Sequence, residues 1–160
     1  MTFPKVINYI VPMKNLIISC LLFAGAFAFS QNHSNPMQTV ERFFTAFHAK
    51  DSLGMQELFH PEARLMRSGQ RQGKPMLTQN NIEKFIRSVA LRADTPTWKE
   101  ELGQPTVQQH QNLASIWVPF RFYLNDQLSH CGINHFSLVW MGKQWQIISL
   151  IDSGTKECTE

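Results

Sequence analysis

The sequence predicts an α+β domain, with three helices leading into an antiparallel sheet on which they pack. Two observations carry this. Apolar residues recur at three- and four-residue spacing as far as about residue 91, and from Trp98 onward they alternate with polar residues at period two. The 160-residue chain is long enough for one domain with a substantial core.

The first helix is capped by Asn35 with Pro36 at its first position, and Met37, Val40, Phe43, Phe44 and Phe47 form its apolar stripe down to Lys50. Asp51 caps a second, short helix bearing Leu53, Met55, Leu58 and Phe59, which Pro61 stops. "ARLMR" reads as a short strand, followed by the loop "SGQRQGK". Asn80 and Glu83 have capping-box spacing for a third helix over 81–91, with Ile82, Phe85, Ile86 and Val89 on one face. Four strands then follow near 98–109, 113–124, 128–140 and 144–152, joined by the turns "HQN", "ND" and "GK".

Residues 1–30 are expected to lie outside this fold. After Lys14, "NLIISCLLFAGAFAFS" is an uncharged apolar run of signal-peptide length, with Ala28 and Ser30 as the small residues of a cleavage site. Met13 is the better start, since Lys14 then directly precedes the run; an uncleaved anchor is the alternative. The domains are therefore a leader over 1–30, a polar lead-in over 31–35, the folded domain over 36–156 and a tail over 157–160. Export implies a secreted or periplasmic protein with no membrane attachment after cleavage. Loss of Lys5 and Lys14 leaves 13 of the 15 basic residues against all 12 acidic ones, with no basic block, which argues against a nucleic-acid partner. Export would also remove Cys20 and leave Cys131 and Cys158 in an oxidising space, either bonded or as two thiols.

The order of elements, with "FFTAFHAKDSLGMQELFHPEA" running into a strand and "GKQWQIISLIDS" closing the chain, resembles the NTF2-like superfamily. The likeness is strongest to its small secreted bacterial branch of SnoaL-like and lumazine-binding-like domains, and it covers about residues 36–156. It implies a cone in which a curved antiparallel sheet wraps against the helices, with a pocket at the wide end and a convex face through which many members form homodimers. Members include isomerases, dehydratases and transport factors, so the fold alone does not fix a reaction.

A two-residue turn at Asn125–Asp126 places Val118 opposite Ile133 and Phe120 opposite Cys131, and the next turn places His135 opposite Leu150. Ile116, Val118, Phe120, Phe122, Cys131, Ile133, His135, Ser137, Leu150 and Asp152 then share the face that the resemblance assigns to the pocket. Trp117, His130, Asn134, Phe136, Leu138, Trp140, Trp145 and Ile147 fall on the convex face. On this register His130 cannot join Cys131 and His135. Those two lie about 13 Å apart along an extended strand, too far for one zinc ion, so no metal is expected.

The resemblance to steroid-isomerase-like members puts their oxyanion-holding tyrosine at Phe43, their aspartate base at Arg67 and their protonated aspartate at His135. All three roles are altered, and no cofactor is implied. Arg67 suits a ligand with an acidic group. Phe43, Phe47, Phe59, Phe85, Trp98, Val118, Phe120, Ile133, Ser137 and Leu150 are the remaining expected lining residues, suited to an apolar or aromatic molecule. A metal-free lyase or isomerase acting through His135, with Asp152 as its orienter, is the alternative. Asp152 also has the option of pairing with Arg67. A homodimeric interaction domain without a ligand is the third reading.

Overall fold

The computed structural model describes residues 34–158. The expected leader and lead-in, apart from Ser34 and Asn35, lie outside those residues, as do Thr159 and Glu160.

Helix α1 spans Met37–Ala49, α2 Ser52–Leu58 and α3 Ile82–Ala90. Each begins where a short polar side chain accepts a free amide. Asn35 Oδ1 accepts from the Met37 N–H at 3.0 Å, and Asp51 does so from Gly54 at 2.9 Å. For α3 the acceptor is Asn81, taking the Lys84 N–H at 2.8 Å, so this cap sits one residue later than Asn80.

The strands are β1 (Phe59–Arg71), β2 (Lys74–Asn80), β3 (Trp98–Leu102), β4 (Thr106–His110), β5 (Leu113–Leu124), β6 (Gln127–Trp140) and β7 (Trp145–Thr155). They form one sheet in the order β2-β1-β7-β6-β5-β3, with β4 also pairing β5. The sheet is mixed, because β1 joins β7 in parallel while every other pair is antiparallel. Two differences from the expected strands have local causes. The "SGQRQGK" segment is a hairpin turned by Gln72 and Gly73, both at positive φ, and it creates β2. The strand expected over 98–109 divides into β3 and β4 at "GQP", where Pro105 cannot donate to a ladder.

The decisive departure lies in β6. Leu124 pairs with Gln127 and Tyr123 with Leu128, as a two-residue Asn125–Asp126 turn demands. Phe122 then pairs with His130, which leaves Ser129 as an extra residue. Beyond this bulge Val118 faces Asn134 instead of Ile133, and every later side chain of β6 points the opposite way from the simple register. A second bulge, at Ile148 of β7, separates the pairs Leu138–Ile147 and Ser137–Ser149. The two slips cancel along the far half of β7, so Leu150 and Asp152 still face inward as expected. In the near half they do not cancel, and Trp145 and Ile147 turn inward.

The core follows from this parity. Phe136, Leu138, Trp145 and Ile147, all expected on the convex face, are buried against the helices with Val40, Met55, Leu58 and Val89. The Phe136 ring meets those of Phe43 and Phe44 edge-on at 5.8 and 6.1 Å. Cys131 and Cys158 are joined as a disulfide with Cα atoms 5.7 Å apart. It ties the tail beside Gly132 and Ile133, away from the main cavity.

Parity makes a direct mutational prediction. Phe136→Ala should cost about 3–5 kcal/mol in urea denaturation, the range for a fully buried ring, while His135→Ala should cost about 1 kcal/mol or less. The reverse ranking would restore the unbulged register.

Candidate functional site

A cavity of about 880 Å³ opens between the helices and the concave side of the sheet. Phe43, Phe44 and Phe47 of α1, Phe85 of α3, and Leu65, Trp98, Phe120, Phe122 and Leu150 of the sheet give it an apolar lining. Its polar groups come from neighbouring strands. Arg67 on β1 sits directly beside Asp152 on β7, and Asp152 sits beside Asn134 on β6. Glu100 enters from β3, where period two places it on the same face as Trp98 and Leu102.

Arg67 Nε donates to Asp152 Oδ2 at 2.7 Å, and one terminal nitrogen lies 2.6 Å from the same oxygen. The arginine side chain is 54% exposed and the aspartate 17%, so this pair stands at the rim with guanidinium N–H groups to spare. Deeper in, Asn134 Nδ2 donates to Glu100 Oε1 at 2.7 Å. Glu100 makes no ion pair among the described residues. Burial raises its pKa from 4.5 to about 7; the Asn134 hydrogen bond and Arg67 oppose that rise, and Asp152 adds to it. The carboxyl group is therefore a neutral acid for much of the time near neutrality. His130, turned inward by the bulge, also lines the cavity, and its pKa is lowered by burial and by Arg67, against an opposing pull from Asp152.

Helix α1 holds β3 in place. The Glu100 N–H donates to His48 Nε2 at 2.9 Å, fixing the neutral imidazole with its proton on Nδ1. Burial first, then Arg92 and Lys99, lowers the pKa of His48, which preserves that acceptor. Arg92 donates to the carbonyls of Phe47 and His48 at 2.8 and 2.9 Å and lies over the Trp98 ring at 5.2 Å. The end of α1 and the start of β3 are thus clamped together, and Glu100 is fixed two residues beyond Trp98.

Of the expected site residues, Arg67, Asp152, Phe43, Phe47, Phe85, Trp98, Phe120 and Leu150 line the cavity. Phe59 and Val118 are buried in the core beside it without lining it. His135, Ile133 and Ser137 do not face it, because the Ser129 bulge turns them to the other side of the sheet. There His135 Nε2 lies 2.9 Å from Ser115 Oγ, near the ring of Trp117, which is 53% exposed. The expected His135–Asp152 dyad is not formed, since Asp152 is bound to Arg67. Glu100, Asn134 and His130 were not expected here. For Glu100 the signal was present in "WKEEL", which places a carboxylate in phase with two apolar residues.

No protein-family model matches the chain, and no curated protein matches it. Solved structures do match in fold. A protein with a cystatin-like fold from Nostoc punctiforme aligns at TM-score 0.59 and 11% identity, covering 76% of this chain and 89% of its own. An NTF2-like protein from Pseudomonas putida KT2440 aligns at 0.58 and 21%, covering 73% and 82%. Another, from Shewanella baltica, aligns at 0.56 and 15%, covering 76% and 91%. All three are described as of unknown function. The chain has an NTF2-like fold.

The raised Glu100 pKa sets a pH dependence of stability. Between pH 4.5 and about 7 the folded state holds a proton that the unfolded chain has released, so stability falls as pH rises through that window. The full loss is on the order of 3 kcal/mol. Glu100→Gln, which keeps an acceptor for Asn134, should therefore melt higher than the parent at pH 8 and close to it at pH 4.5. A variant that melts lower at pH 8 would show that the carboxylate is well solvated or paired.

Proposed function

We propose that this chain is a secreted or periplasmic module that binds a small apolar or aromatic molecule bearing an acidic group. The observation that carries the reading is the cavity itself, with aromatic walls and its charged groups gathered on adjoining strands. Its volume suits a drug-sized ligand. Arg67 keeps unused donors at the rim, and Lys84 of α3 also lines the cavity, so a carboxylate or phosphate would find cationic partners there. Export is supported by the apolar run before Gln31 and by the Cys131–Cys158 bond, which belongs to an oxidising compartment. Placement in the SnoaL-like branch rests on "FHPEA" and the closing "GKQWQI" hairpin. We do not retain lyase or isomerase chemistry through His135, whose imidazole lies outside the cavity.

A second copy of the chain is proposed to pack on the outer sheet face. Trp117 and Leu113 of β5 are exposed there.

The test is thermal denaturation with a panel of aromatic carboxylates and their uncharged amides. A carboxylate at a hundredfold excess over its Kd should stabilise the fold by about 2.7 kcal/mol, its amide by less, and Arg67→Ala should remove the difference. If no aromatic compound in the panel raises the midpoint, the binding reading fails. Light scattering on the same samples should give the mass of two chains, and a monomer would refute the dimer alone.

A further inference from the structure

The Glu100–Asn134 pair has unused capacity. Asn134 is 5% exposed, and one of its two amide N–H groups is given to Glu100 Oε1. Among the described residues the second carboxyl oxygen of Glu100 and the Asn134 carbonyl oxygen have no hydrogen-bond partner, yet neither is among the sealed, unsatisfied atoms. Both residues line the cavity, so these two oxygens open into it. An acceptor aimed at a bound anion repels it, whereas a carboxylic acid donates to it.

Resting on the binding reading above, we propose that the cavity takes up its acidic ligand together with one proton, and that Glu100 holds that proton. Every charged or titratable group facing Glu100 is accounted for. From β1 comes Arg67, committed to Asp152 of β7, and from β6 come His130 and the neutral Asn134. From α3 comes Lys84, and from α1 His48, which meets the Glu100 backbone. On β5 the register partner is Phe122, which carries no charge. Only Arg67 and Asp152 act on the carboxyl group through their charge, and they act in opposite directions. Arg67 is the one cation whose charge favours a Glu100 carboxylate, and it is paired with Asp152. Among the described residues none forms an ion pair with Glu100 to offset a ligand anion sharing the cavity. Protonation is the remaining way to avoid two like charges in an apolar enclosure. Linkage is reciprocal, so the anion strengthens the hold of Glu100 on its proton as much as the proton strengthens anion binding.

The probes that test this are 8-anilinonaphthalene-1-sulfonate, whose sulfonate stays charged throughout, and the uncharged N-phenyl-1-naphthylamine. Affinity is read from their fluorescence between pH 6 and 8.5. The sulfonate should bind on the order of tenfold more weakly at the upper pH, because the competent protonated fraction shrinks, while the neutral probe should change little. Glu100→Gln should bind the sulfonate tightly at both ends of the range. Asn134→Leu removes a hydrogen bond that favours the carboxylate, so it should move the fall in affinity to higher pH, a shift that a merely structural asparagine would not produce. If both probes bind with pH-independent affinity, or if Glu100→Gln keeps the parent's slope, proton-linked uptake is overturned and the binding reading stands. If neither probe binds, both fall.

Discussion

One inserted residue governs the inside of this molecule. Ser129 has no partner opposite it on β5, and the slip it introduces reverses the facing of the rest of β6. With it, Phe136 and Leu138 enter the core and Asn134 reaches Glu100; His135, Ile133 and Ser137 go outward. Without it, a benzene ring and an isobutyl group would leave the helices, and a histidine and a serine would take their places. Burying unpaired polar groups there costs more than the local ladder disruption at the bulge. The β6 slip also turns Trp145 and Ile147 into the core, and the Ile148 bulge then compensates farther along β7, keeping Leu150 and Asp152 inward.

The cavity's polar chemistry separates by depth. At the rim, Arg67 and Asp152 form a bond exposed enough that its contribution to stability is small, and it fixes charge at the cavity mouth. Further in, Glu100 has a neutral amide as its side-chain hydrogen-bond partner, and burial raises its pKa to about 7. The arrangement depends on α1 as well as on the sheet. Arg92 binds carbonyls at the end of α1 and stacks on Trp98, while His48 accepts the amide of Glu100 itself. A helix end therefore sets the position of an acid on a strand.

Much of the architecture was open to reading from residues alone. The caps at Asn35 and Asp51, the stripe of α1 and the span of β5 follow from spacing and chemistry, and the pair of Arg67 with Asp152 was one of the options these left open. The facing of β6 did not, for a specific reason. In "SHCGINHFSLVW" both alternating sets contain polar and apolar residues, so neither register is chemically absurd, and a bulge carries no compositional mark. The correct inward facing of Leu150 and Asp152 was reached through two errors that cancel. The polar hairpin containing β2 was hidden because it buries almost nothing, leaving no apolar alternation to detect.

Asn134, and among the described residues no cation, is the side-chain partner of a buried acid at position 100. Carbon-13 NMR of the labelled glutamate carboxyl carbons, followed through a pH titration and assigned with Glu100→Gln, tests it most directly. The claim predicts one resonance with a midpoint near 7, well apart from the other glutamates. A Glu100 midpoint at or below 4.5 would contradict it, and with it the inward facing of Asn134 on which the site is built.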